Sequence, residues 1–460
     1  MDAKDRRIAE LEAEVKALQA QVARMTDQVS KLSAALEEER RRNKRQAAPF
    51  RKQDAPAAEP KKPGRKPGRR HGPHAHREAI PPERIDERYD VPLPDCCPHC
   101  SSRDIEETQV VTQFQTEIPA RAIHRQFDIH RGECLHCGQT IQPRHELQTS
   151  GAVGAAASQL GPRAHAAMAM LNKQLGLSHG KIARLFGELF GIRIARASSA
   201  RSILRTARRG EAAYQTIRRD VRGSPWVAPD ETGWRVGGRS AWLHAFVGES
   251  ATCYEIGDRS GDVAEQLLGR DWSGTLIHDG WSVYDRLARA FHQQCIGHLQ
   301  RRCKQLLETS SRGAVRFPRA VLALVDRAFA LRRAWRGHRL SGDDLARCGL
   351  ALACELEHLA SGAFTNQANR RLAKHVLKHA MHWFWFLIDP SIDATNWRAE
   401  QAIRPAVVNR KVWGGNRTWR GARAQAVLTS LLVTLHQRGH DALARLSQLL
   451  TSPTPLPLPA

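Results

Sequence analysis

The chain has 460 residues, enough for several domains with a large core, and carries 71 Lys and Arg against 47 Asp and Glu, a net charge of +24. That excess favours a polyanionic partner, nucleic acid before others. No run of about 18 apolar residues exists, which argues against a membrane-spanning helix. The charged N-terminus MDAKDRRIAE lacks the apolar centre of a secretory signal, so a cytoplasmic protein is expected.

Residues 1–39 are read as a coiled coil. Ile8, Leu11, Val15, Leu18, Val22, Met25, Val29, Leu32 and Leu36 alternate steps of three and four without Pro or Gly. β-branched residues dominate one set of positions and Leu the other, the pattern of a parallel two-stranded assembly. A homodimer or larger assembly is therefore expected.

Residues 40–90 read as a basic, disordered linker. Between 40 and 77 stand fourteen Lys and Arg against Asp54 and Glu59. Within it, KKPGRKPGRR offers Arg65, Lys66, Arg69 and Arg70 on an extended backbone. Two readings are open: an arm that enters the minor groove, or a tract that binds phosphates without sequence preference.

Residues 91–147 read as a zinc-ribbon domain. Cys97-x-x-Cys100 and Cys134-x-x-Cys137 flank 33 residues with two β-rich runs, 108–118 and 122–130. Four thiolates make a closed tetrahedral Zn²⁺ site that serves folding rather than catalysis. A disulfide does not suit a reducing compartment. Residues 155–220 are helical. Ser178 is placed to cap one helix, and Ser198 or Ser199 to open a second that carries Arg201, Arg205, Arg208 and Arg209. A DNA-binding helix-turn-helix and an ordinary helical hairpin are both compatible with this.

From 221 to 298 the pattern becomes α/β. Strands are expected near 225–230, 241–248, 252–257, 274–279 and 292–297, with helices at 263–268 and 281–290. Three strands, a helix, then alternating strands and helices is the order of an RNase H-like fold. Residues 299–392 form an all-helical insertion whose MHWFWFL segment (381–387) belongs in a core. Residues 393–450 complete the fold, with a helix opened by Thr395 or Asn396, and 451–460 form a disordered tail. The fold class is thus multidomain α/β plus α.

Asp230 is expected at the end of the first strand, Asp279 at the end of the fourth, and Glu400 early in a helix. Two Asp on neighbouring strands and a Glu on a helix suit two Mg²⁺ or Mn²⁺ ions, which phosphodiester cleavage employs. Asp258, Asp262, Asp271 and Asp285 are rivals by spacing alone.

DETGWRVGGRSAWLHAFVG, RSGDVAEQLLG, GTLIHDGWSVYD, CIGHLQRR and NWRAEQAIRPAVVNRKVWGGNRT, in that order, resemble transposases of the insertion sequence 66 family. The resemblance runs from about Cys97 to about Leu450. It implies a DDE triad of Asp230, Asp279 and Glu400 that nicks the ends of a mobile element in double-stranded DNA and joins them to a target. It also implies accessory proteins encoded by the element. It brings His298 to the site, to contact the scissile phosphate or assist proton transfer. Arg301, Arg302, Arg404, Arg410 and Lys411 are candidates to grip DNA phosphates, and Trp281 and Trp413 to stack on a displaced base. EQAIRP and KVWGG depart from the commoner family wording. Two alternatives stand beside this reading: a non-catalytic, dimeric, zinc-containing DNA-binding protein, and a nuclease that cuts without joining.

Overall fold

The structure is a computed structural model. It describes residues 159–452 continuously and 81–152 except 91, 96–97, 105, 107–108, 111, 114, 116–121, 144 and 149–150; residues 15, 18–22, 25–29, 32, 454 and 456–459 are also described. The basic tract with Arg65, Lys66, Arg69 and Arg70 lies outside the described residues, as does Cys97.

Residues 1–118 and 119–460 form two units. In the first, the described heptad positions Val15, Leu18, Val22, Met25, Val29 and Leu32 are helical and exposed. Cys100 ends a turn.

The second unit opens with two short antiparallel strands, β1 (Gly132–Glu133) and β2 (Thr140–Ile141). The β-rich run expected at 122–130 is not strand, because no other segment pairs with it among the described residues. Four helices follow: α1 (Pro162–Lys173), α2 (His179–Phe190), α3 (Arg196–Arg209) and α4 (Glu211–Arg222). Ser178 caps α2 by accepting from the Lys181 amide, as its sequence position suggests. Ala195, not a serine, precedes α3, and Ser199 is buried inside that helix.

A five-stranded mixed sheet forms the centre. Its strands are β3 (Trp226–Val236), β4 (Arg239–Val247), β5 (Thr252–Gly257), β6 (Thr275–His278) and β7 (Phe291–Gln294), in the order β5-β4-β3-β6-β7. The first three are antiparallel, whereas β3, β6 and β7 run parallel. Gly237 and Gly238 both have positive φ, which a two-residue hairpin with right-handed strand twist requires. Helix α5 (Asp262–Leu268) lies between β5 and β6.

Alternation along the strands sends side chains to two cores. Val227, Phe246, Cys253 and Leu276 join α1, α3, α4 and two C-terminal helices, α12 (Trp419–Gln437) and α13 (Ala442–Thr451). Trp226, Ala228, Val247 and Ile277 face the other way. There they meet α6 (Ile296–Thr309), α7 (Arg316–Arg336), α8 (Gly342–Ala360), α9 (Gln367–Lys378) and the short α10 (Trp385–Ile388). Trp383, Phe384, Phe386 and Leu387 are buried in this second core, as their apolar run implies. Helix α11 (Trp397–Trp413) covers the outer part of the β3–β4 hairpin through Ile403 and Ala406.

The open edge of β5 is closed by side chains of α12. The Thr252 amide donates to Thr434 Oγ1 at 3.0 Å and the Tyr254 amide to Ser430 Oγ at 2.8 Å. An edge strand that would otherwise seek another chain is thereby satisfied internally.

Three expectations need correction. Residues 281–290 hold only a 3₁₀ turn, Ser282–Arg286, in place of the expected helix. β7 ends at Gln294, and residues from Ile296 are helical. Within the stretch expected to be a disordered tail, Leu458 is buried in the core that includes Leu446 and Leu449.

Candidate active site

Asp230 does not end its strand. β3 pairs with β6 only at Trp226 and Val227, then continues for nine more residues paired with β4 alone. Asp230, opposite Ala245, stands just beyond the point where β3 and β6 part. Asp279 follows β6 directly, and its carboxylate accepts the Trp281 amide at 3.0 Å. The turn needs Gly280, whose φ is +92° and where an added Cβ would stand 2.8 Å from Gln294 Oε1.

Glu400 sits in the first turn of α11, whose entry is tied to β3 and to Cys295, the residue after β7. Asn396 Nδ2 donates to the Pro229 carbonyl at 3.0 Å, and the Asn396 amide to Cys295 Sγ at 3.3 Å. Asn396 therefore occupies the cap position but spends its side chain on β3 instead of capping.

Asp279 and Glu400 both lie within electrostatic reach of Asp230. Burial pushes the Asp230 carboxyl up to about 7, with further pressure from Glu231, Asp279 and Glu400. Glu231 is also raised, by burial and by Asp279. Among the described residues, however, no three His, Cys, Asp or Glu side chains are converged closely enough to hold a metal ion as they stand.

His298, in the first turn of α6, lies 3.8 Å from Glu400 Oε1 through Nε2. Burial and the neighbouring Arg301 hold its imidazole below the ordinary value, against the pull of Asp279 and Glu400. Arg301 and Arg302 are exposed on the same helix, and Arg404 and Lys411 are exposed on α11. Arg410 turns inward: its guanidinium donates to the Gly233 carbonyl and to Thr232 Oγ1, fastening α11 to β3. Trp413 likewise packs edge-to-face on Trp234 with centroids 5.8 Å apart and donates to the Gly176 carbonyl. Trp281 is half-buried beside Asp279.

The rival acids are engaged elsewhere. Asp258 accepts from Ser260, Asp262 pairs with Arg286, Asp271 with Arg289 and Asp285 with Lys378. Sequence reasoning missed Glu231, whose carboxylate meets Tyr284 and Arg259 next to Asp230. Alternation along a strand would send it to the opposite face, yet Asp279 acts on both carboxylates.

Cys134 and Cys137 flank a tight turn in which the Gly138 amide donates to the Cys134 carbonyl and the Cys134 amide to that of Gln139. The backbone amides of Cys137 and His136 hold the Cys134 thiol below its ordinary value, as suits a thiolate ligand.

No described helix is long and apolar enough to cross a membrane. No curated protein matches the chain in sequence. The model of the Transposase IS66 family matches residues 157–424, more than half of the chain, from just before α1 into the first turns of α12. The chain therefore belongs to the IS66 family of transposases, enzymes that bind and cleave DNA.

Proposed function

We propose that Asp230, Asp279 and Glu400 form the DDE triad of an RNase H-like core that nicks element ends and joins them to target DNA. The carrying observation is that Asp279, just after β6, and Glu400, on α11, both add to burial in raising the carboxyl of Asp230 on β3. The strand order, with three antiparallel strands followed by two parallel ones, supports the fold reading. The donor set is all carboxylate oxygen, the chemistry that Mg²⁺ or Mn²⁺ favours. Two such ions, when bound, activate water and then the freed 3′-hydroxyl and neutralise phosphate charge. The chain's own part is to gather the oxygens, which requires side-chain closure from the present arrangement. His298 stays uncharged near neutrality beside Glu400, where it serves a phosphate contact or a proton transfer.

In this reading the exposed heptad stripe pairs with a second copy, and Arg301, Arg302, Arg404 and Lys411 face DNA phosphates. The Cys134–Cys137 turn fits a ligand pair of a structural Zn²⁺. Helices α2 and α3 serve DNA binding through the arginines of α3, and accessory proteins of the element are partners.

Incubating the full chain with DNA fragments carrying the element's ends and Mg²⁺ or Mn²⁺ tests this. Joined products are expected, and Glu400→Gln is expected to remove them while DNA binding persists. Cleavage without joining would favour a nuclease, and unimpaired joining by Glu400→Gln would remove Glu400 from the triad.

The basic tract offers an independent check. Deleting residues 40–77 is expected to flatten the fall of DNA affinity with salt, because fewer counterions are released on binding. An unchanged slope would mean that the tract leaves phosphates alone.

A further inference from the structure

At the rim of the carboxylate cluster, Arg259 follows β5 and is held between two indoles. Its guanidinium carbon lies 4.2 Å from the Trp242 ring centroid and 5.1 Å from that of Trp281. Trp242 belongs to β4, opposite Gly233 and Gly257. Trp281 is fixed by the hydrogen bond its backbone amide donates to the Asp279 carboxylate and by edge-to-face packing on Tyr284, 5.5 Å between centroids. The cation is thus attached to the same turn that carries Asp279.

With its carbon over the faces of both indoles, the guanidinium keeps its N–H edge for hydrogen bonding. Nη2 lies 3.4 Å from Glu231 Oε1, a long ion pair in which the Arg side chain is 52% exposed and the Glu side chain 9%. Among the described residues, Nε and Nη1 donate no hydrogen bond. A charged fork therefore stands partly unused beside Glu231, a carboxylate that itself feels Asp279. Most of a site crowded with negative charge would repel a DNA strand; a cation at its lip offsets that repulsion at one place.

We propose that Arg259 binds, edge-on, a single backbone phosphate of the DNA strand entering the carboxylate cluster, with Trp242 and Trp281 setting the plane of the fork. This rests on the reading of the carboxylates as the DNA-cutting site. The two indoles explain why an arginine stands here: the compact ammonium of lysine has no planar fork to hold and makes no bidentate contact with two phosphate oxygens.

The competing view makes Arg259 merely the counterion of buried Glu231. Methylphosphonate scanning separates the two. Element-end duplexes carrying one uncharged linkage at a time are titrated against the full chain, in an Asp230→Asn background so that binding is read without cutting. At one linkage the substitution is expected to weaken binding about tenfold with Arg259 present and less than about twofold in Arg259→Ala. Arg259→Lys keeps the charge beside Glu231 and is expected to show an intermediate loss. If Arg259→Ala fails to fold, the Lys variant carries the comparison. Equal losses with and without Arg259 at every linkage would overturn the proposal. Such a result, with joining still abolished by Glu400→Gln, removes Arg259 and leaves the triad. Joining that survives Glu400→Gln sinks the triad, whatever the phosphate scan gives.

Discussion

Replacing Asp230 by Asn is expected to lower strand joining by at least about a thousandfold, the scale of several kcal/mol of lost charge stabilisation. Metal-free protein should at the same time become more stable near neutral pH. Both effects have one cause. The Asp230 carboxyl is buried and pressed by Glu231, Asp279 and Glu400, which lifts it from 3.8 to about 7. Between those values the folded chain keeps a proton that the unfolded chain has released, so the group's contribution to stability falls as pH rises from about 4 to about 7 and is level above. Asn keeps the shape and abolishes this loss. The gain of Asp230→Asn over the wild type should therefore be small near pH 4 and reach a few kcal/mol at pH 8, as an order of magnitude. Thermal unfolding at both pH values checks the sign, and a gain independent of pH would refute the crowding. Divalent cations should raise the melting temperature of the wild type more than that of the variant, because binding to the folded state alone stabilises it.

Gly415→Ala is the second substitution with a large expected effect. At Gly415 φ is +117°, and an added Cβ would lie 2.4 Å from the Arg235 carbonyl oxygen. The contact is with backbone, which cannot swing aside. A cost of at least about 3 kcal/mol is expected from clash and strain together. Gly414 provides the control. Its φ is +78°, with open space around it, so Gly414→Ala should cost only about 1–2 kcal/mol. The site matters because the segment after α11 is sewn to β3. The Asn416 amide donates to the Arg235 carbonyl at 2.9 Å, and the Gly237 amide to the Asn416 carbonyl at 2.9 Å. Trp234 Nε1 donates to Asn416 Oδ1 at 2.8 Å. Loosening this seam should shift α11 against β3 and so separate Glu400 from Asp230. Denaturant unfolding and the joining assay should show stability and activity falling together. Equal destabilisation by the two alanines would remove the seam from the account.

Much of this was legible in local pattern. The apolar run Trp226–Ala228 and the β-like run Ala241–Val247 report strands near 225–230 and 241–248. Asp279 after a short buried strand and Glu400 early in a helix follow from the same periodicities, and the ordered motifs carry the family. Tertiary structure decided the rest. The continuation of β3 past β6, which places Asp230 inside a strand, depends on a partner strand and on Asn416, far along the chain. The inward turn of Arg410 and Trp413 depends on Gly233 and Gly176. The Trp242–Arg259–Trp281 stack depends on three separate segments arriving together. A sequence specifies the period of its own elements; which charges meet is set by packing between residues distant in the chain, and no local pattern records it.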